Sequence, residues 1–249
     1  MIQIDERTFA LAPLQPDEGF QYGRAVFETL PVYKKPVLFL EHISRLNRGL
    51  EALQIRKPVN PVWLEIELTK LQLENCVLKI LVSEKNLVFQ TRPLPADKAN
   101  ASLTLQPDWR SRHPLLLEHK TVQYMAGLLA WETACRDGYD DALLINPAGK
   151  VAESSRSNLF FVKNGQLHTP DLACGLLPGI VRAWVTGQYS VEAGFYTPEN
   201  LFQAEGVFIC SSVIGIRPVA AIDDQVLGQS SLILKIADHY RGAVSDPAK

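Results

Sequence analysis

The chain has 249 residues, 47% of them hydrophobic and 21% charged, with a formal net charge of -2. That is enough apolar material for one large domain or two modest ones, and the balanced charge does not draw the whole chain to nucleic acid or an anionic membrane. No apolar run approaches the roughly 20 residues that cross a bilayer, and Met1-Ile2-Gln3-Ile4-Asp5-Glu6 lacks the pattern of a secretory signal. A cytoplasmic protein is therefore expected. Cys76, Cys135, Cys174 and Cys210 are far apart and read as buried small hydrophobes. Neither they nor the five histidines show the spacing of a metal site.

Residues 2–14 are strand-like and are broken by Pro13 and Pro16. Residues 20–33, rich in aromatic and β-branched side chains, predict a strand ending at Lys34-Lys35-Pro36. Leu40, Ile43, Leu46, Leu50 and Leu53 recur at helical spacing and predict an amphipathic helix over 40–54. Asn60-Pro61 starts a second helix, expected to run to about residue 75. Residues 77–82 and 87–91 form a hairpin about Glu84-Lys85-Asn86, and 102–105 a further strand. The stretch 107–114, with Asp108, Arg110, Arg112 and two prolines, interrupts this pattern and reads as an interdomain linker.

Beyond it a helix is expected over 121–137, with Leu128, Trp131 and Cys135 on one stripe. A strand over 142–146 turns at Pro147-Ala148-Gly149. Strands 159–162 and 166–168 flank Lys163-Asn164-Gly165, whose Asn-Gly pair is a strong hairpin signal. A helix over 180–191, a strand over 206–211 and a last helix from 230 to about 240 complete the reading. Strands and helices mix without regular alternation, so the expected class is α+β.

Four segments carry chemistry. Lys120 stands where linker meets helix; desolvation there would free its amine as nucleophile and base, although a single lysine is ordinarily a solvated surface group. Glu153, in Val151-Ala152-Glu153-Ser154-Ser155-Arg156-Ser157-Asn158, is a carboxylate that could keep a pyridine nitrogen protonated. Leu176-Leu177-Pro178-Gly179-Ile180-Val181-Arg182 places Pro and Gly before a helix whose free N–H groups suit a phosphate. The Ser211-Ser212 hydroxyls and the Arg45 guanidinium are further donors for such a group. Asp17-Glu18-Gly19-Phe20-Gln21-Tyr22-Gly23-Arg24 sets glycines among aromatics and suggests a strand that something approaches closely.

Taken together, in order, these segments resemble the fold-type IV pyridoxal-phosphate enzymes, the family of branched-chain and D-amino-acid aminotransferases and aminodeoxychorismate lyases. The matching stretches are residues 17–29, His42-Ile43-Ser44-Arg45-Leu46, Lys120 with its helix, 151–160, Thr169-Pro170 with 174–182, and 211–219. The resemblance implies a small α/β domain (1–106), a linker (107–119) and a larger barrel-like domain (120–249), with pyridoxal 5'-phosphate between the domains and a homodimer as the working form. It further implies that Lys120 holds the cofactor as a Schiff base and shuttles protons, while Glu153 pairs with its ring nitrogen. Arg45, Gly179, the backbone of Ile180 and Val181, Ser211 and Ser212 would hold the phosphate. Leu176 or Leu177 would pack on the ring, and Tyr124 would reach its hydroxyl.

Within the family, Val213-Ile214-Gly215-Ile216-Arg217-Pro218-Val219 and Val77-Leu78-Lys79-Ile80 are similar to the lyases, which release pyruvate from 4-amino-4-deoxychorismate and leave 4-aminobenzoate. The aminotransferases usually carry Glu where Gly215 stands, and the branched-chain enzymes carry an arginine near Lys79. The chain departs from the lyases in its clipped Ser83-Glu84-Lys85-Asn86 loop and from the family in Gln123, where Asn is frequent. Tyr22, Arg24, Lys79 and Arg217 are the candidate substrate contacts. The leading expectation is a lyase; an aminotransferase on branched-chain or D-amino acids, and a catalytically idle protein that keeps the fold, are the alternatives.

Overall fold

The structure, a computed structural model, describes residues 2–4, 7–9, 14–110 and 113–245, the first two segments and Ser245 as backbone only. Pro13 of the expected first strand and Arg112 of the expected linker lie outside the described residues. The chain divides into two compact units. The first takes in residues up to Ala96 together with His119–Gln123, and the second comprises Asp97–Glu118 and Tyr124–Ala243.

In chain order the first unit holds β1 (Ile2–Ile4), β2 (Arg7–Phe9), α1 (Glu18–Tyr22), β3 (Val26–Val32), α2 (Phe39–Ala52), α3 (Pro61–Lys70), β4 (Cys76–Val82) and β5 (Leu87–Pro93). The strands form one sheet in the order β2-β1-β5-β4-β3, antiparallel except for β1 against β5. The expected 40–54 helix is α2, and its Ile43, Leu46 and Leu50 pack with Leu30, Leu78 and Ile80 in one fully buried cluster. Burying such side chains contributes about 2 kcal/mol each.

Two expectations change here. The aromatic stretch 20–33 is not one strand: Asp17 accepts from the Phe20 amide and caps α1, and Gly23 ends that helix at φ +73 before β3 starts. Local capping outweighs the strand propensity of Phe20 and Tyr22. The second helix stops at Lys70, short of residue 75.

The second unit holds β6 (Ala101–Pro107), α4 (Pro114–Leu117), α5 (Met125–Arg136), β7 (Asp141–Ile145), β8 (Val151–Ser154), β9 (Asn158–Lys163) and β10 (Gln166–Pro170). They are followed by α6 (Ile180–Gln188), β11 (Val191–Gly194), α7 (Pro198–Phe202), β12 (Gly206–Ser211), β13 (Gly215–Ile222), β14 (Gln225–Val226) and α8 (Ser231–Ser245). Its nine-stranded sheet runs β11-β10-β9-β12-β13-β6-β7-β8, with β14 on β13. β6 is parallel to both its neighbours, β13 and β7. Strands β8 and β9, separated in that order, nevertheless touch, so the sheet curls back on itself. This is an α+β fold.

The division does not coincide with the boundary at residue 106 or the linker 107–119. Pro107 still pairs with Ile145 inside the second sheet, while Phe27 donates to the Lys120 carbonyl and Thr121 bridges Val26 in the first unit. Prolines at 107 and 114 mark a strand end and a helix start, not a free tether. The helix expected from 121 begins at Met125, and its buried face is Gly127, Ala130 and Ala134, not the Leu128–Trp131–Cys135 stripe. Small residues let α5 lie close on β7 against Ala142 and Leu144, so Cys135 turns outward and is exposed, against the expectation that all four cysteines are buried. α6 ends at Gln188, and Val191 belongs to β11. Among the described residues no helix is long and apolar enough to cross a membrane.

Candidate functional site

In the second unit the chemistry gathers around Glu153. Strand β8 places it, and the tight turn through Ser155-Arg156-Ser157 brings Asn158 at the start of β9 beside it. Buried Glu153 accepts at Oε2 from Asn158 Nδ2 at 2.9 Å and at Oε1 from the Leu177 amide at 3.2 Å. Arg110 Nη1 donates to the same Oε1. Asn158 also donates to the Leu177 carbonyl at 2.9 Å, tying the turn before α6 to the carboxylate. Gly179 is required at that turn, because a Cβ there would stand 1.9 Å from Asn158 Oδ1. It is the N-cap of α6 and supplies no side-chain cap, so the first amides of α6, from Ile180 and Val181, keep the anion affinity of an open helix start.

Leu176 is buried and Leu177 half-buried in the same turn. Cys210 of β12 pairs with Asn158 of β9, which brings Ser211 and Ser212 to the same end of the sheet. Burial, reinforced by the carboxylates of Glu153 and Asp141, pushes the Tyr124 phenol well above its usual range; it donates to the Ser155 carbonyl at 2.9 Å. The structure thus brings together Glu153, Leu176, Leu177 and the Gly179–Ile180–Val181 start of α6, with Ser211 and Ser212 at the same end of the sheet and Tyr124 fastened to the turn after Glu153.

The first unit holds the amine. The Lys120 carbonyl accepts from Phe27, and Lys120 Nζ lies 4.6 Å from the Phe27 ring centroid. Lys79 Nζ lies at the same distance from that ring. Lys79 is opposite Thr29 in the β3–β4 register, so Phe27, Thr29 and Lys79 share a sheet face. Burial, with the Arg92 charge added, lowers the Lys79 ammonium below its usual range.

Arg45 is buried on α2 and engages Glu28 of β3 by two bonds of 2.7 Å, Nε to Oε1 and Nη2 to Oε2. His42 Nδ1 lies 2.6 Å from Glu28 Oε2. Burial works against the Glu28 charge, but Arg45 and His42 outweigh it and bring its carboxyl down to about 2. Of the candidate substrate contacts in this unit, Tyr22 projects into solvent from α1, and Arg24 donates to the Leu53 carbonyl and to Glu18. In the second unit Arg217 donates to the Asn100 carbonyl and pairs with Asp140, neither of which is among the expected site residues.

Arg110 and Asn158 were absent from the expected site. Asn158 lies inside the Glu153 motif, and Arg110 lies in the stretch that reads as a linker. The available signal was Asp108-x-Arg110 at the end of a strand: Arg110 donates from Nε and Nη2 to the two Asp108 carboxylate oxygens, both at 2.9 Å.

An amine on one unit, and on the other a buried carboxylate beside an open helix start, are the groups that the resemblance requires. The sequence profile of the family described as Amino-transferase class IV matches residues 25–222. The chain belongs to that family. As a class IV protein it is an enzyme that works with pyridoxal 5'-phosphate, and its residues fit that group: an acceptor-only carboxylate suits a protonated ring nitrogen, and the Gly179 turn opens amides to a phosphate.

The chain is similar to the aminodeoxychorismate lyase of Bacillus subtilis (strain 168), 27% identical over 92% of this chain and 87% of that protein. It is also similar to the branched-chain-amino-acid aminotransferase of Salmonella typhimurium, 25% identical over 85% and 80%. Among solved structures it resembles one from Legionella pneumophila, provisionally described as a 4-amino-4-deoxychorismate lyase. That match has a TM-score of 0.85 and 25% identity, covering 97% of this chain and 98% of that one.

Proposed function

We propose that this protein is a 4-amino-4-deoxychorismate lyase that forms 4-aminobenzoate and pyruvate, acting as a cytoplasmic homodimer. The observation that carries the choice within the family is Gly215. It sits at φ +64 at the start of β13 with the Tyr240 ring 3.5 Å from where a Cβ would stand, so the turn favours glycine over the Glu that the aminotransferases usually carry. Lys79 in place of an arginine supports the same reading.

The cofactor, when bound, supplies an electron sink for charge released at the substrate carbon. The remaining work falls to side chains. The Lys120 amine would hold the cofactor and, once free, would take the proton from the substrate carbon next to nitrogen. Glu153, buried and accepting from three donors, stays anionic and orients the ring. The amides of Ile180 and Val181, with Ser211, Ser212 and Arg45, bind the phosphate, and Leu176 and Leu177 exclude water from the ring face. Lys79, on the sheet face of Phe27, anchors a substrate carboxylate. Loss of enolpyruvate makes the product aromatic, so the protein needs chiefly to orient and deprotonate.

A second reading, an aminotransferase on branched-chain or D-amino acids, rests on the similarity to the Salmonella enzyme and uses the same Lys120 and Glu153. A paired assay separates them. One arm supplies 4-amino-4-deoxychorismate, made in place, and follows 4-aminobenzoate; the other offers L- and D-amino acids with 2-oxoglutarate or pyruvate. The expected result is product in the first arm only, abolished by Lys120→Ala. Keto acid in the second arm alone overturns the lyase.

A further inference from the structure

Arg110 makes four side-chain hydrogen bonds within the second unit. Nε and Nη2 grip Asp108, Nη2 also donates to the Gly175 carbonyl at 2.9 Å, and Nη1 donates to Glu153 Oε1. Burial works against its charge, yet Glu153 and Asp108 hold the guanidinium proton more firmly than usual. The backbone completes the frame, since the Asp108 amide donates to the Ile145 carbonyl and the Arg110 amide donates to Asp108 Oδ1 at 3.0 Å. A surface arginine would not be held at its own strand end and at the turn before α6 simultaneously.

We propose that Arg110 is a positioning residue that fixes Glu153 as an ionised carboxylate and thereby keeps the proton on the ring nitrogen of the bound cofactor. The inference rests on the reading that Glu153 partners that nitrogen. The argument is one of competition for a single proton, which resides either on the nitrogen or on the carboxylate. A cation hydrogen-bonded to the carboxylate stabilises its charge more than it repels a positive ring beyond it, because Coulomb energy falls with distance. With Arg110 in place, the pair is a pyridinium facing a carboxylate. Without it the proton moves from nitrogen to Glu153, and the ring loses much of its electron-withdrawing power. Arg182 is the other nearby cation, but it donates to the Pro170 carbonyl and leaves Arg110 as the one bonded to Glu153 among the described arginines.

The test uses the holoenzyme reconstituted with 15N-labelled pyridoxal phosphate and reads the ring-nitrogen chemical shift and the cofactor dissociation constant. In Arg110→Met the nitrogen signal is expected to move to the unprotonated position and cofactor affinity to fall by about tenfold, the loss of one charge-assisted bond. Where Arg110→Met does not fold, Arg110→Lys carries the same test; it keeps a cation but lacks the fork that spans Asp108, Gly175 and Glu153, and a smaller shift in the same direction is expected. A variant that melts earlier while its nitrogen signal and cofactor affinity match the wild type overturns the proposal. Glu153→Gln separates the two readings. If it moves the nitrogen signal and the Arg110 variants do not, only the role of Arg110 falls; if Glu153→Gln leaves the signal unmoved, the assignment of Glu153 falls as well.

Discussion

Replacing Glu28 by Gln removes one charge from a fully buried cluster while keeping its shape. Arg45 and His42 are both buried against that carboxylate, and the amide replaces one of its two acceptor oxygens by an NH2 group that cannot accept from Arg45. Two routes give the size of the effect. Lowering the carboxyl from 4.5 to about 2 corresponds to about 3 kcal/mol of native-state stabilisation at 1.36 kcal/mol per unit. Independently, breaking a buried ion pair by neutralising one partner costs about 3–5 kcal/mol. The folded-state value is depressed, so this stabilisation is fully present above about pH 4.5 and fades as pH falls towards 2. Urea titrations of the wild type and Glu28→Gln should therefore differ by about 3 kcal/mol at pH 7 and by about half that or less at pH 3. A difference below about 1 kcal/mol at pH 7, or one that stays constant down to pH 3, would refute the reasoning.

Gly179→Ala forces a Cβ into Asn158, which is held by Glu153 and Leu177; strain of about 1–3 kcal/mol is expected, seen as about tenfold weaker cofactor binding in a fluorescence titration. Asp17, brought down to about 2 by bonds from Ser83, Lys85, Phe20 and Asn86 that outweigh its burial, caps α1. Asp17→Ala should cost about 1–2 kcal/mol in urea at pH 7, and the gap should narrow as pH drops from 3.8 towards 2. Native-state thiol titration should modify Cys135 rapidly and the buried Cys76, Cys174 and Cys210 only on unfolding; fast reaction of a second thiol would contradict the burial described.

Much of this architecture was legible in short-range chemistry. Of the period Leu40, Ile43, Leu46, Leu50 and Leu53 that located α2, Ile43, Leu46 and Leu50 form its buried face while Leu40 is exposed, and Asn164-Gly165, both at positive φ, marked the β9–β10 turn. What escaped was decided at longer range or by a single polar side chain. Asp17 converts an aromatic strand-like stretch into α1 through one capping bond. β11 and β13 are short or Pro-containing and are stabilised by partners distant in sequence, so their local pattern carried little signal. At the site, Glu153 and Gly179 were nameable because motifs surround them. Arg110 lies 43 residues from Glu153, and nothing in its own neighbourhood except Asp108 marks it as more than a loop residue.

The position of β6 has a consequence for how the chain is made. It is the first strand of its unit to leave the ribosome, yet one of its two neighbours is β13, whose Val219 pairs with Ala101. Through most of synthesis one edge of β6 is therefore without its native partner, a state in which strands invite pairing with other chains. Ala101, Leu103 and Leu105 alternate with Ser102, Thr104 and Gln106 along that strand, so one of its faces is apolar. Truncation before Gly215 should thus yield insoluble material even though Glu153, Gly179 and α6 are all present, because the nascent second unit cannot close until nearly all of its sequence has emerged.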